Sequence, residues 1–291
     1  MKGNFTLEKE DLKDEFILVS LLGDYLNLTP AEEVVGGVKR LMKFGLTDEE
    51  AMRILIAEST GLNTEIHRDF FMRYFPLCVK KLDPTPFLDD EYYKNVKFKR
   101  ERMGKAMICR EKYAAYEPFV FDDMYRSFDG MLIPKTGFFS EEFSYPAIKE
   151  NGRIWMTVTP NEINTMRAPI ENAEGVVVAL GLGLGYYAYM TGIKKDVKKV
   201  YVVEKSDEII SLYENFLKPQ FSCADKIEII KGDAYEICER GLLPKADVVF
   251  CDLWHDVSDG VDGYKRLKKC EGLYPSAKFY YWIEKSIRFY L

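Results

Sequence analysis

A strand pattern that runs into a glycine-rich turn constrains the fold of this chain more than any other feature. Residues 176–180 read VVVAL, residues 181–185 read GLGLG, and a helical pattern begins at Tyr186. A continuous apolar run bounded in this way is typical of a parallel strand covered on both faces. Glycines at such a turn let backbone N–H groups approach a ligand with no Cβ in the way. The stretch therefore predicts a nucleotide-cofactor site at a strand end.

Strand and helix patterns alternate regularly after this turn. Strands are predicted at 200–203, 227–230, 248–251 and 279–283, and helices at 185–191, 206–217, 234–240 and 264–273. Parallel strands joined by helices of this length form right-handed crossovers. The fold class predicted for this part is α/β, a Rossmann-like doubly wound sheet.

The first 125 residues are predicted to form an all-helical N-terminal domain. Capping boxes at Thr29-Pro30-Ala31-Glu32 and at Thr47-Asp48-Glu49-Glu50 begin two of its helices. Residues 89–112 fit either a helix or an extended arm. Short apolar runs with glycine and proline predict β-hairpins at 126–160, which would open a second domain at 126–291. A third capping box, Thr159-Pro160-Asn161-Glu162, leads into the first strand of the sheet.

Carboxylates end the three strands that follow the glycine turn. They are Glu204, Asp233 and Asp252. The carboxyl ends of parallel strands line the ligand site of an open α/β sheet. Glu204 is placed to accept ribose hydroxyls, and Asp233 to accept the amino group of adenine while Ala234 donates from its backbone. A dinucleotide motif would require glycine at position 186, where Tyr186 stands, so a cofactor with hydroxyls, an amino group and a cationic centre is favoured.

These motifs resemble the class I S-adenosylmethionine-dependent methyltransferase superfamily, and within it the spermidine-synthase-like branch. The similarity covers roughly residues 159–291 and rests on TPNEI at 159–163, ALGLGLG at 179–185, VVE at 202–204, KGDA at 231–234 and DVVFCD at 247–252. It implies S-adenosylmethionine as cofactor, with Gly181, Gly183 and Gly185 at its methionine part, Glu204 at the ribose and Asp233 at the adenine. It also implies that Asp252 lies beside the reacting centre.

The loop that begins at Asp252 carries the candidate chemistry. His255, one of two histidines in the chain, is a candidate general base, and Asp252 is the second candidate catalytic residue. Trp254 is a candidate cation-facing wall, and Asp256 and Tyr186 are further candidate substrate contacts. Each also has a structural interpretation, because tryptophan and tyrosine commonly pack, histidine is commonly exposed, and aspartate commonly caps a helix.

Three functions remain open at this stage. The first is methyl transfer to an unidentified small molecule. The second is aminopropyl transfer from decarboxylated S-adenosylmethionine to a polyamine, although aminopropyltransferases usually continue differently after the aspartate that corresponds to Asp252. The third is a non-catalytic protein that binds the cofactor and uses its helical domain to bind a partner.

Composition excludes several other classes of protein. The net charge is −6 with both signs interspersed, which does not favour a nucleic-acid partner, and no apolar run is long enough to span a membrane. The six cysteines are scattered without the spacing of a metal site, so reduced thiols and no metal are expected. No apolar segment follows a basic start at the N-terminus, so a cytoplasmic location is expected. A fold of this kind usually closes with two antiparallel strands, but only residues 279–283 have a strand pattern before residue 291. The last strand is either missing or supplied by a second copy in a homodimer, or residues 278–291 are helical.

Overall fold

The computed structural model describes residues 7–28 and 31–291 of the chain. In chain order the helices are α1 (Ile17–Leu28), α2 (Ala31–Met42), α3 (Asp48–Ser59), α4 (Arg68–Cys78), α5 (Thr85–Leu88), α6 (Glu91–Asn95), α7 (Pro160–Glu171), α8 (Tyr186–Gly192), α9 (Asp207–Leu212), α10 (Ala234–Glu239), α11 (Val257–Lys268) and α12 (Glu284–Ile287). The strands are β1 (Val79–Lys81), β2 (Glu101–Met103), β3 (Ala106–Tyr113), β4 (Phe119–Arg126), β5 (Leu132–Phe138), β6 (Phe143–Glu150), β7 (Arg153–Thr157), β8 (Gly175–Leu180), β9 (Val197–Glu204), β10 (Ile227–Lys231), β11 (Val248–Cys251) and β12 (Lys278–Tyr281). No helix among these residues is both long and apolar enough to cross a membrane.

The chain divides into two compact units that are each built from two segments. The first unit comprises the residues up to Pro84 together with Lys112–Ser144, and the second comprises Thr85–Glu111 together with Tyr145–Leu291. The chain leaves the second unit along β3 and returns to it along β6. These two units are defined by how the chain packs, and they do not test a single boundary along the sequence. The predicted domain boundary near residue 125 therefore stays a prediction.

The first unit packs four helices against a small sheet. Strand β5 lies between β1, to which it is parallel, and β4, to which it is antiparallel. Apolar side chains of α1 to α4 form one buried cluster with side chains from β1 and β5, including Val79, Ile133 and Phe138. The prediction of an all-helical N-terminal domain is therefore wrong, because these strands supply part of the surface that covers the helices.

The predicted helical region also ends earlier than residue 125. The last of its helices is α6, and residues 101–126 form β2, β3 and β4 instead. Gly104, with φ of +55°, makes the turn between β2 and β3. Charged residues interrupt the apolar runs of this stretch, which obscures the two-residue alternation of its strands. The predicted hairpins are confirmed as the antiparallel pairs β4–β5 and β6–β7, with the first beginning before residue 126.

Two of the predicted capping boxes lie in the described part of the chain. Thr47 caps α3 and exchanges hydrogen bonds with Glu50, which confirms the first of them. Thr159 and Glu162 cap α7 in the same way. The predicted box at 29–32 includes Thr29 and Pro30, which lie outside the described residues, although α2 itself forms as predicted.

The second unit contains a parallel five-stranded sheet in the order β10-β9-β8-β11-β12. Helices separate its strands along the chain, so the predicted Rossmann-like α/β fold is confirmed. Strand β8 lies in the middle, and the strand order reverses between β8 and β11, which is where ligands bind in sheets of this kind. The chain continues from β12 into the helical turns of α12 and residues 288–290, so β12 forms one edge of the sheet in the described chain. A second sheet, in the order β2-β3-β6-β7, precedes it.

Candidate functional site

The glycine turn brings backbone close to the strand that ends at Asp252. Gly181 has φ of +100°, and a Cβ at this position would lie 2.3 Å from the carbonyl oxygen of Asp252. Gly183 has φ of +53°, and a Cβ there would touch only the sulfur of Met156, at 3.6 Å. Gly181 and Gly183 both line a cavity. Gly185 does not line it, because it caps α8 and lies against Phe221.

The cavity lies wholly within the second unit and has a volume of about 760 Å³. Its wall contains residues that follow four adjacent parallel strands, β8, β9, β10 and β11, as well as residues of β7 and α7. The carboxyl ends of these strands meet at one edge of the sheet, so residues far apart in sequence surround a common space. A cavity of this size can hold a nucleoside cofactor together with part of a second ligand.

Glu204 lies at the end of β9 and is buried, with 7% of its surface exposed. Its Oε1 accepts hydrogen bonds from the backbone N–H groups of Lys205 and Ser206, both at 2.8 Å. Its Oε2 accepts one from the N–H of Leu182 at 3.2 Å. A carboxylate oxygen has two lone pairs, so Oε2 retains capacity to accept from a ligand hydroxyl at the cavity wall.

Asp233 and Ala234 stand at the start of α10 and both line the cavity. The Oδ1 of Asp233 accepts from the N–H groups of Tyr235 at 2.9 Å and Glu236 at 3.2 Å, so this side chain caps the helix as well. Its second oxygen makes no hydrogen bond with the part of the chain that the structure describes. Ala234 is the first residue of the helix, where the N–H has no partner within the helix. An acceptor and a donor are therefore available side by side.

Asp252 lies on the floor of the cavity and is half-buried. Its backbone N–H donates to the carbonyl of Leu180 at 3.0 Å, which fixes it next to the glycine turn. Burial raises the pKa of the Asp252 carboxyl to about 8, and the nearby carboxylate of Glu162 adds to the rise. A cationic group bound here would stabilise the ionised carboxylate and lower this pKa.

Glu162 is a wall residue that sequence patterns indicate only as part of a capping box. Its Oε1 accepts from the Thr157 hydroxyl at 2.7 Å, and its Oε2 accepts from the Thr159 N–H at 2.8 Å and from the Thr159 hydroxyl. Those bonds hold the carboxylate against the cavity, where it faces Asp252. The sequence signal for Glu162 is that its capping box begins the helix immediately before the first strand of the sheet. The structure places the start of this helix, α7, at the cavity.

Three tryptophans also line the cavity. Trp254 is buried beneath α11, where a Cβ on Gly260 or Gly263 would lie 2.9 Å or 3.1 Å from its ring, and its Nε1 has no hydrogen-bond partner among the described residues. Trp282 is buried and donates from Nε1 to the hydroxyl of Thr165 at 2.9 Å. Trp155 is 42% exposed at the rim. Trp254 is therefore both a packed residue and a residue of the cavity wall. No pattern in the sequence indicates that Trp155 and Trp282 also line the cavity.

His255 borders the same cavity and is half exposed. Its Nδ1 lies 3.0 Å from the Oδ2 of Asp259, and its ring packs edge-on against Trp155 with 4.3 Å between ring centroids. Asp256 is placed differently: it caps α11, accepts from the N–H and hydroxyl of Ser258, and does not line the cavity. Contact between Asp256 and a substrate stays a prediction.

Tyr186 lines the cavity and is anchored by a segment that the glycine motif does not reveal. Its hydroxyl donates to the Oδ2 of Asp90 at 3.1 Å, and burial, followed by the Asp90 charge, raises the pKa of this phenol. Tyr92, two residues later, donates its hydroxyl to the carbonyl of Leu184 at 2.5 Å. The short helix α6 therefore supports both the glycine turn and the wall that follows it.

The cavity is strongly acidic. Seven carboxylate side chains border it, but only two lysines, Lys105 and Lys205. Lys105 is already paired with Glu150 at 2.8 Å. A concave surface lined by one sign of charge concentrates ligands of the opposite sign, so the cavity favours a cation. Among the residues that the structure describes, no group of three or more acidic, histidine or cysteine side chains is arranged to hold a metal ion.

Comparisons with known proteins give partial structural similarity. No protein-family model matches the chain, and no curated protein matches it. Among solved structures, the precorrin 8W decarboxylase of Methanobacterium thermoautotrophicum aligns with a TM-score of 0.30 and 20% identity over 40% of this chain and 58% of that protein. Spermidine synthase from Thermotoga maritima aligns with a TM-score of 0.31 and 16% identity over 44% of this chain and 50% of that protein. The alignments span less than two thirds of either protein and assign no activity to this chain.

Proposed function

We propose that the second unit binds S-adenosylmethionine and transfers its methyl group to a small-molecule acceptor. The observation that carries this proposal is that Glu204, Asp233 and Asp252 line one acidic cavity together with the glycine turn. A nucleoside offers hydroxyls and an amino group, and a sulfonium offers a positive charge. Those three features match the acceptors and the charge that the cavity presents.

The residues present fit this cofactor group by group. The free oxygen of Asp233 and the N–H of Ala234 suit the donor and acceptor edge of an adenine, and Oε2 of Glu204 suits one ribose hydroxyl. Gly181 lets the turn pack closely against the backbone of Asp252, and Gly183 leaves open space at the cavity wall for the sulfonium end of the cofactor. When bound, the cofactor would supply an activated methyl group.

The chain itself contributes orientation, charge and exclusion of water. Asp252 in its ionised form stabilises a cation in the cavity, and the nearby Glu162 carboxylate adds negative potential. The tryptophan rings enclose the remaining space and offer faces that attract cations. Methyl transfer is an in-line displacement, so holding donor and acceptor in one desolvated cavity is the main catalytic requirement.

Aminopropyl transfer is the second candidate, and the charge of the wall favours it. A cofactor that keeps its carboxylate needs a cation to bind that group, yet Lys105 is paired with Glu150 and the other wall lysine, Lys205, has an exposed side chain. Decarboxylated S-adenosylmethionine has no carboxylate and carries a larger positive charge. In this case Asp252 would orient the attacking amine and accept its proton.

Calorimetric titration with both cofactors separates the two candidates. Methyl transfer predicts binding of S-adenosylmethionine at least as tight as that of its decarboxylated form. A clear preference for the decarboxylated form would overturn the methyltransferase proposal in favour of aminopropyl transfer. NAD⁺ is the control, because Tyr186 replaces the glycine that a dinucleotide site requires, and it should not bind.

A further inference from the structure

Asp259 holds the imidazole of His255 at the mouth of the cavity. The Oδ2 of Asp259 lies 3.0 Å from Nδ1 of His255, and both carboxylate oxygens accept from the His255 backbone N–H at 3.1 Å. The backbone N–H of Asp256 also donates to Oδ1 at 3.1 Å. The carboxylate is therefore fixed by several donors from one short loop. Partial burial acts to raise the pKa of the Asp259 carboxyl, but the donations from Asp256 and His255 together outweigh it and hold this pKa below its usual range.

An ionised carboxylate only accepts hydrogen bonds, so it selects the form of neutral imidazole that carries its proton on Nδ1. In that form Nε2 has a free lone pair. Because Nδ1 is engaged with Asp259, Nε2 is the ring nitrogen left to meet a ligand in the cavity that His255 lines. Trp155 packs edge-on against the ring and restricts its rotation.

We infer that Asp259 is a positioning residue that makes His255 the general base for the acceptor. The inference rests on the proposed methyl transfer and specifies its acceptor as a molecule whose nucleophilic atom carries a proton. As the acceptor atom bonds to the methyl carbon, its proton moves to Nε2 of His255. The bond between that carbon and the sulfonium sulfur breaks with its electron pair on sulfur, which leaves a neutral thioether. A carboxylate that orients a histidine base in this way is a recurring arrangement in catalysis.

Nitrogen-15 NMR of the imidazole side chains tests the arrangement without any acceptor. The chain has two histidines, His67 and His255, so few signals need assignment. His67 is an internal reference, because its Nε2 lies 3.0 Å from the carbonyl oxygen of Leu7, which accepts only from an Nε2–H. At neutral to alkaline pH we expect the two rings to carry their protons on opposite nitrogens, with Nδ1–H in His255. A wild-type spectrum that shows Nε2–H in His255 would overturn the inference even if no variant folds.

Two matched variants then separate positioning from helix capping. Asp259→Asn keeps an oxygen for the backbone donors but offers an N–H to Nδ1, so His255 should change to the Nε2–H form. Asp256→Asn removes a carboxylate from the same helix start. The Asp256 side chain accepts from Ser258 and from the backbone N–H of Asp259, and asparagine keeps an oxygen for these donors, so the His255 form should not change. An Asp259→Asn spectrum identical to that of the wild type would also overturn the inference. Calorimetry with S-adenosylmethionine on the same samples reports separately on the proposed function, because the proton position belongs to the ligand-free protein.

Discussion

The Oε2 of Glu204 accepts a hydrogen bond from the backbone N–H of Leu182 at 3.2 Å. One buried carboxylate thus joins the end of β9 to the glycine turn that follows β8. Glu204 also borders the cavity, so the contact that orders the turn and the contact expected for a ribose hydroxyl involve one side chain. Binding and local stability are coupled at this residue.

Replacing Glu204 with alanine should weaken binding of S-adenosylmethionine by about 1–3 kcal/mol, because charge-assisted hydrogen bonds are lost. The free energy of unfolding should fall as well, since three backbone N–H groups lose their acceptor. Calorimetry and urea denaturation measure the two effects. Glu228→Ala is the control, because Glu228 pairs with Lys199 on the sheet surface and does not line the cavity. Unchanged affinity in Glu204→Ala would remove Glu204 from the binding site.

Alanine at the two cavity glycines should have contrasting effects. Gly181→Ala places a Cβ 2.3 Å from a backbone oxygen at φ of +100°, so it should lower the free energy of unfolding by at least about 2 kcal/mol. Gly183→Ala meets only the Met156 sulfur, in a left-handed conformation that costs about 1–2 kcal/mol. Its methyl group occupies the cavity, so cofactor affinity should fall at least about tenfold. Wild-type stability in Gly181→Ala, or wild-type affinity in Gly183→Ala, would contradict the assigned geometry.

Binding of a sulfonium cofactor should release a proton from Asp252. With a pKa of about 8 this carboxyl is mostly protonated at pH 7 in the ligand-free protein, and a bound cation favours its ionised form. Calorimetry at pH 7 in buffers of different ionisation enthalpy should show release of about 0.5–1 proton per cofactor, with affinity rising from pH 6 to pH 8. Asp252→Asn should abolish the release, and the neutral thioether S-adenosylhomocysteine should reduce it. Equal proton release from Asp252→Asn and wild type would show that another group is responsible.

Asp252 should also make folding stability fall with rising pH. Its pKa is raised from 3.8 to about 8 in the folded state, so the folded protein holds a proton that the unfolded chain has lost between those values. The associated stability is present below pH 4 and is lost as the pH rises through 8. Asp252→Asn removes this loss. Its free energy of unfolding, relative to that of the wild type, should increase by roughly 1–3 kcal/mol between pH 4 and pH 9. A difference that does not vary with pH would contradict the burial of the charge.

The sequence predicts the central part of the site because local patterns define it. An apolar strand, a glycine turn and acids at successive strand ends are each readable within a few residues, and parallel order then brings Gly181, Glu204, Asp233 and Asp252 to one edge. Gly185 and Asp256 were less predictable, because the same residue types also begin helices. The structure uses both in that way.

The remaining parts depend on tertiary packing that no local pattern shows. Trp155 reaches the cavity from a strand before the sheet. Asp90 and Tyr92 do not line the cavity, but they support two of its wall residues, Tyr186 and Leu184, from about a hundred positions earlier in the chain. Charged residues interrupt the apolar alternation of the strands at 101–126, so the pattern leaves residues 89–112 open between a helix and an extended arm, and the structure has strands from residue 101 onwards. In the first unit, helices with one apolar face are also compatible with a helical bundle. The sheet that covers them combines β1, which follows α4 directly, with β4 and β5, which lie far later in the chain.

Native mass spectrometry of the protein mixed with excess S-adenosylmethionine tests the central claim most directly. We expect one cofactor per chain, loss of the bound species in Gly183→Ala, and its retention in Glu228→Ala. NAD⁺ under the same conditions should leave the chain unbound. Absence of any bound S-adenosylmethionine or S-adenosylhomocysteine from the folded wild-type protein would contradict the assignment of the acidic strand-end cavity as an adenosyl-sulfonium site.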